Sequence, residues 1–471
     1  MIEMLEITNT VSYRAVKSRL RNVDRRISQS SIALWFAATI PLFTLYLLTL
    51  RTDPQSMSID TISVTTSSWQ VAHDGTPRVP IGGAHYNVWL VPSGSGHLVS
   101  NREPGLVGLA AIFYFLLPFT TTFDVTPASL AAAVVTSAAM GTLAVAFARL
   151  VSARTALIAA LVAGTATTTW AVSGTSLWPH GPDQLYLAIA MLSLAAGRGA
   201  WAGLAYGLAI LTRPPLGVVA AVSGAWHAAK ERSIRPLVTI GVVSVCGLLG
   251  FLAYSHTFWS GGLQSQYTSA DGDGDFIGHF FDFGFPALRQ FGENIAGTLV
   301  SPGRGVLFGA PFLAVLAPGL RGAWRVAPSW VRSSAVSGLV YLAVQLKANT
   351  FGGGADFWSY RYPLESLTLL APLFVLAWTT YASRTPRRRG AFLALVIFAI
   401  ALQAAGALCF RRSQTHWWGT ADLAAVVADR PWVAGPILFI GYLAAAITYR
   451  RISDPHGEQS RSMFARFREG G

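Results

Sequence analysis

The sequence predicts an all-α, polytopic integral membrane protein of about twelve transmembrane helices. Two observations carry this. Of 471 residues, 52% are apolar and only 12% charged, with a mean hydropathy of +0.45, whereas a soluble domain is about 25% charged. Long apolar runs also recur along the chain, and Arg and Lys cluster between them. The net charge of +13 is therefore read as membrane topology rather than nucleic-acid binding.

Residues 1–30 are basic and contain no signal-peptide core, so they are expected to form a cytoplasmic N-terminal segment. The first span follows at 31–50, SIALWFAATIPLFTLYLLTL. Further spans are expected at 127–149, 156–174, 184–198, 200–213, 215–229, 236–256, 305–320, 330–346, 364–381, 390–410 and 433–449. Residues 31–449 thus form one transmembrane domain, and 450–471 a cytoplasmic tail. The stretch 105–119 is apolar but short, with Pro104 before it and Pro118 near its end. It is read as a re-entrant or interfacial helix. Twelve spans then put both termini inside, and every inner segment carries Arg or Lys, including Arg387, Arg388 and Arg389. Cys246 and Cys409 both fall in apolar runs, which argues against disulfides and thiolate metal sites.

The outer face receives the polar loops 51–126, 257–304, 347–363 and 411–432, with a short loop at 175–183. Asp60 opens an amphipathic stretch soon after the first span, with Trp69 and then Pro77 and Pro80 beyond it. A carboxylate fixed there suits a general base acting on a hydroxyl at the membrane interface, or a helix N-cap. Arg102, beside Glu103 and Pro104, suits a lipid phosphate or an ordinary helix start. In Ser-Leu-Trp-Pro-His-Gly-Pro-Asp, Trp178 fits an aromatic belt. His180 and Asp183 fit a rigid substrate rim or a solvated loop.

Arg213, between Thr212 and two prolines, suits a phosphate or a snorkelling side chain. Arg304, within Ser-Pro-Gly-Arg-Gly, sits at headgroup depth. The run from Phe351 to Pro363 sets three glycines beside Trp358, Tyr360, Arg361 and Tyr362, which suits stacking a sugar and gripping a phosphate. Asp271, Asp273 and Asp275 weakly resemble the start of a calcium loop, but Phe276 stands where such loops need Gly. They are read as an acidic lid, and as the only candidate metal ligands.

Together these residues resemble the polytopic GT-C glycosyltransferases that use polyprenyl-phosphate sugars, the broad group of protein O-mannosyltransferases and the lipid A aminoarabinose transferase. The likeness lies in the order of Asp60, Arg102-Glu103-Pro104, Ser176-Leu-Trp-Pro-His180, Leu211-Thr-Arg-Pro214, Ser301-Pro-Gly-Arg-Gly305 and Tyr360-Arg-Tyr-Pro-Leu364, over most of 31–381. Members often carry a Lys near Arg102 and a second acidic residue beside the catalytic one, and this chain has neither.

The resemblance implies a GT-C-like fold and transfer of a sugar from a polyprenyl-phosphate donor to a glycan, lipid or protein acceptor. Asp60 would be catalytic, with donor phosphate on Arg361, Arg304, Arg213 and Arg102. The substrate would be lined by Trp178, His180, Asp183, Trp358, Tyr360, Tyr362 and Glu103. The expected location is the plasma (inner) membrane of a bacterium, with the site facing outward and membrane lipids as the surroundings. No cofactor is required, and a divalent cation is left open. Two alternatives remain: a lipid-linked polysaccharide polymerase or ligase, and a non-enzymatic lipid-linked sugar flippase. A flippase would set ionisable groups deep in spans that here are nearly free of charge. Nucleic acid is not an expected partner, and the chain has no Walker-type nucleotide loop.

Overall fold

The computed structural model describes residues 27–82, 90–117, 122–261, 276–354, 356–411, 418 and 421–453. Asp271, Asp273, Asp275, most of the N-terminal segment and most of the C-terminal tail lie outside the described residues. The helices at the start are α1 (Ile27–Leu48), α2 (Ile59–Asp74), α3 (Pro104–Leu116), α4 (Thr126–Phe147) and α5 (Ala153–Thr165). Then come α6 (His180–Ala195), α7 (Gly199–Thr212), α8 (Gly217–Glu231) and α9 (Arg235–Phe258). After α10 (Phe276–Phe281) and α11 (Phe285–Val300) the chain forms the short α12 (Val306–Gly309), α13 (Phe312–Leu316) and α14 (Leu320–Val326). The last helices are α15 (Ser329–Ala348), α16 (Leu364–Thr380), α17 (Pro386–Cys409), α18 (Ala421–Asp429) and α19 (Pro431–Ser453).

Among the described residues, six helices are long and apolar enough to cross a membrane. They are Ser31–Leu48 of α1, α4, α9, Leu364–Arg384 (α16 with the turn after it), α17 and α19. Helices α5, α6, α7 and α8 stand where spans were expected but run only 13 to 16 residues, or roughly 20–24 Å at 1.5 Å per residue. The single span expected at 305–320 is broken into α12, α13 and a 3₁₀ turn at Ala317–Gly319. Pro311 and Pro318 cannot donate to a continuous ladder, and each stands at the start of a new piece.

Helix α1 packs against α4 and α5, α6 lies between α4 and α7, α15 packs on α16, and α17 pairs with α19. Their facing sides share one apolar core that includes Leu42, Tyr46, Met140, Phe147, Met191 and Leu369. A three-stranded antiparallel sheet precedes α3, in the order β1 (Val79–Pro80), β3 (His97–Ser100), β2 (Leu90–Pro92).

The amphipathic stretch that Asp60 opens folds as α2, and the helix is enclosed rather than presenting a polar face. Thr61, Ile62, Ser63, Val64, Thr65, Thr66, Ser67 and Ser68 are all buried. A helix so rich in hydroxyls can be enclosed because its side chains bond its own carbonyls. Thr66 donates to Ile62 O at 2.9 Å and Ser68 to Val64 O at 2.7 Å. Ser67 Oγ accepts the Ser100 N–H at 2.8 Å, tying α2 to β3. Val64 then packs with Leu106, Val107 and Ala110 of α3 and Ala128 of α4.

Candidate functional site

Asp60 is the second residue of α2, and the helix cap is Ser58, whose Oγ accepts the Asp60 N–H at 3.3 Å. The Asp60 carboxylate is therefore not the cap and is free to turn outward from the helix. Arg102 Nη2 donates to Asp60 Oδ1 at 2.5 Å, and Arg361 Nη1 to Oδ2 at 3.4 Å. The pairs are mostly enclosed, with side-chain exposures of 14% for Asp60, 22% for Arg102 and 12% for Arg361. Burial alone would raise the Asp60 carboxyl, but the two guanidinium groups outweigh it and hold it below the usual range. Burial dominates at neighbouring Glu103, whose carboxyl is pushed up against the opposing pull of Arg102.

Arg361 is seated by its own loop. Its Nε donates to Gly353 O at 2.7 Å. The guanidinium centre lies 4.5 Å from the Trp178 ring centroid, 4.9 Å from Phe357 and 5.0 Å from Tyr362, within cation–π range. Gly353 has φ +68°, and a Cβ there would stand 3.1 Å from Phe357 Cζ and 3.3 Å from Arg361 Nε. The glycine run is thus what lets the backbone close over the arginine. Asp356 and Ser359 also take positive φ, at 63° and 57°.

A second cluster lies beside the first. Gly105, at the start of α3, makes the approach possible, since a Cβ there would meet Leu211 C and O at 2.8 Å. Arg213 ends α7 in extended backbone, with φ −161°, as a residue before proline prefers. Its Nη1 donates to Glu365 Oε1 at 2.9 Å, and its Nη2 to Gln345 Oε1 at 3.3 Å. His180 Nδ1 lies 2.6 Å from the same Glu365 oxygen. Thr212 Oγ1 donates to Asp183. His180, Asp183 and Glu365 are completely buried. Tyr362 joins the two clusters, its ring centroid 5.4 Å from the Arg213 guanidinium and 5.0 Å from that of Arg361. Within the inner cluster, His180 Nε2, Asp183 Oδ2, Glu365 Oε2 and the Tyr341 hydroxyl are buried with no hydrogen-bond partner among the described residues.

Asp60, Arg102, Glu103, Trp178, His180, Asp183, Arg213, Arg361 and Tyr362 therefore fall in one region. Three expected site residues do not. Arg304 is 1% exposed, and its Nη1 donates to Phe357 O at 2.6 Å and Ser359 O at 2.8 Å. It also pairs with Asp422 at 3.4 Å. Arg304 fastens the loop from within, its guanidinium enclosed by protein. Trp358 is turned into the core against Phe410, 5.7 Å between centroids, and against Gly406 of α17. Tyr360 is 1% exposed and packs on Gly309. Neither ring is presented to an incoming sugar in this structure, because the whole stretch from Phe357 to Tyr360 is buried.

Glu365 is one of several acidic groups the sequence sets on the outer face, with no role assigned to it, and Thr212, Gln345 and Tyr341 were not singled out as site residues. A lone carboxylate at the head of the span expected at 364–381 was the available signal for Glu365. Nothing marked Tyr341 or Gln345. Among the described residues, no group of three or more His, Cys, Asp or Glu is placed to hold a metal ion.

No protein-family model and no curated protein sequence matches the chain. Solved structures of the Archaeoglobus fulgidus oligosaccharyltransferase are similar to it. One, tethered to an acceptor peptide by a disulfide, has 12% identity and a TM-score of 0.45, covering 90% of this chain and 55% of that chain. Another, in complex with Zn and sulfate, has 14% identity and a TM-score of 0.48, covering 80% and 53%. A third, the oligosaccharyltransferase AglB with an inhibitory peptide and a dolichol-phosphate, has 13% identity and a TM-score of 0.45, covering 89% and 56%. The chain spans just over half the length of these solved chains.

Proposed function

We propose that the protein is a multi-pass membrane glycosyltransferase of the GT-C type. It would move a sugar from a polyprenyl-phosphate donor to a cell-envelope glycan, lipid or protein hydroxyl. The observation that carries this reading is the Asp60 carboxylate shared between Arg102 and Arg361, just after the first span. Its charge balance suits a phosphate exchange. Without donor, one carboxylate neutralises part of two guanidinium charges. An arriving phosphate offers the arginines a richer set of acceptor oxygens. As they turn to it, Asp60 loses the partners that depress its carboxyl and becomes a better base.

The reaction is then a direct displacement. The acceptor oxygen attacks the anomeric carbon and its proton passes to Asp60. The bond from that carbon to the phosphate oxygen breaks, and the electron pair leaves with the phosphate. Arg361, Arg102 and Arg213 stabilise the charge that develops there. Tyr362 borders the sugar and Trp178 backs the Arg361 guanidinium, while His180, Asp183 and Glu103 hold the arginines in place from behind. Arg304 is not assigned to the donor. Residues 31–449 act as one transmembrane domain between basic cytoplasmic ends, with Asp60 on the outer face of the plasma membrane. A divalent cation beside Asp60 stays within this proposal, and chelation of the purified protein tests it.

The experiment is transfer by purified protein from a synthetic short-chain polyprenyl-phosphate sugar, read by mass spectrometry against lipid-linked and protein-bound acceptors. Transfer that depends on Asp60 supports the reading. Movement of intact donor across a vesicle membrane without bond cleavage overturns it.

A further inference from the structure

A cavity that none of the residues grouped around Asp60 lines lies between α4, α5, α13, α16 and α17. Its volume is about 410 Å³. Its walls are apolar, drawn from Met140, Leu143, Ile158, Phe312, Phe374 and Phe392 among others. Two arginines stand at one end: Arg154 in the first turn of α5 and Arg389 in the first turn of α17. Both are exposed, and neither makes an ion pair among the described residues. The opposite end is closed by polar groups. Gln184 Nε2 donates to Thr169 Oγ1 at 3.0 Å and to Thr368 Oγ1 at 3.1 Å.

We propose that this cavity binds one acyl chain of an anionic glycerophospholipid from the leaflet at the arginine-rich face, with its phosphate on Arg154 and Arg389. Three features fit that occupant. Two exposed cations at the mouth, without an ion pair among the described residues, complement a phosphodiester, and basic pockets between transmembrane helices are a recognised way of holding anionic headgroups. The apolar walls suit a hydrocarbon chain and little else. The length also fits: α5 lines the cavity from Arg154 to Ala163, a rise of roughly 14 Å, close to the ~15 Å half-thickness of a hydrocarbon core. A polyprenyl chain spanning further would meet the Gln184–Thr169–Thr368 bonds. The chain's own basic N-terminal segment is a poor alternative, because it would place like charge on the two arginines.

The cavity also abuts the inner cluster. Gln184 lies four residues along α6 from His180, and Thr368 three along α16 from Glu365. Each is one helical turn away, on the same helix face. An occupied cavity therefore props the ends of α6 and α16 that carry His180 and Glu365. This inference does not depend on sugar transfer.

Native mass spectrometry of the delipidated full-length protein in detergent tests it, with dioleoylphosphatidylglycerol and dioleoylphosphatidylcholine as probes. The wild type should hold one phosphatidylglycerol more tightly than phosphatidylcholine, whose choline ammonium cancels the phosphate charge, by about 25-fold, at roughly fivefold for each arginine near a net-anionic headgroup. Arg154→Gln with Arg389→Gln should bring the two lipids level. Ile158→Trp, which fills the cavity wall, should weaken both lipids while the arginines remain. Equal binding of the two lipids by the wild type overturns the proposal, as does phosphatidylglycerol binding that the double substitution leaves unchanged. Displacement of the lipid by millimolar inorganic phosphate, with Ile158→Trp inert, also overturns it, since the headgroup alone would then be recognised. An unchanged thermal melting curve for each variant confirms that the fold is intact.

Discussion

Replacing Asp60 with Asn removes the charge that Arg102 and Arg361 share while keeping the side chain's size. Two guanidinium groups that now meet through one carboxylate, at 2.5 and 3.4 Å, would face each other across a neutral amide. Breaking a fully buried pair costs about 3–5 kcal/mol. Here the three side chains keep 12–22% exposure, so a loss of about 1–3 kcal/mol is expected after solvent screening. The catalytic effect should be larger and of a different kind. Removing a general base costs about 10²–10⁴ in rate, so turnover should fall at least about 100-fold. Donor binding should not fall with it, because the arginines lose the carboxylate that competes with phosphate. The assay pairs transfer rate with equilibrium binding of a short polyprenyl phosphate. Retention of more than about a tenth of the wild-type rate would refute the base role. Loss of rate and donor binding in equal measure would make Asp60 a mere scaffold for the arginines.

The same geometry sets a pH dependence. The folded carboxyl lies below its unfolded value, which is about 3.9. Its stabilising contribution is therefore complete above that value and is lost as pH falls through the lower, folded one. Phosphate binding draws the arginines away and lets the carboxyl rise. The acidic limb of kcat, which reports the donor complex, should lie at higher pH than that of kcat/KM, which reports the free enzyme. Coincident limbs would refute the exchange.

Arg361→Lys should weaken donor use and Arg361→Ala more, since lysine keeps the charge but loses the planar fork; unchanged donor KM and kcat in Arg361→Ala would make the loop purely structural. Arg304→Ala should lower stability by about 3 kcal/mol, from two charge-assisted hydrogen bonds, with loss of activity only in step with unfolding; a melting curve like wild type together with lost donor affinity would restore Arg304 to the donor site. Glu365→Gln leaves Arg213 and His180 buried without their shared anion and should cost about 3–5 kcal/mol, read as a lowered melting temperature; an unshifted curve would show that the cluster is neutral as a whole. Ser383→Cys should resist a membrane-impermeant thiol reagent added to intact cells, and modification from outside would invert the proposed topology.

Much of the helical architecture was legible because long apolar runs have one structural outcome in a bilayer. The residues that gather around Asp60 were legible for a narrower reason: each is a charge or proline motif at a helix end. What escaped was direction. Arg304 and Arg361 look alike in sequence, each a loop arginine beside glycine or tyrosine. Only the folded chain shows that one turns inward to the Phe357 and Ser359 carbonyls and the other faces Asp60. Trp358 and Tyr360 were misjudged for the same reason. The enclosure of α2 was hidden because hydroxyl-rich composition reads as polar surface, although its hydroxyls are satisfied within the helix.

The two partners of Asp60 lie 42 and 301 positions from it in sequence. Synthesis runs from the N-terminus, so Arg102 emerges early while Arg361 is hundreds of peptide bonds from being made. For that interval Asp60 has only half its counter-charge, and the contact that completes it joins distant parts of the polypeptide. The ion pair with Arg361 therefore doubles as a closing clasp in biogenesis, formed only once the nascent chain has delivered α15 and the loop that follows it.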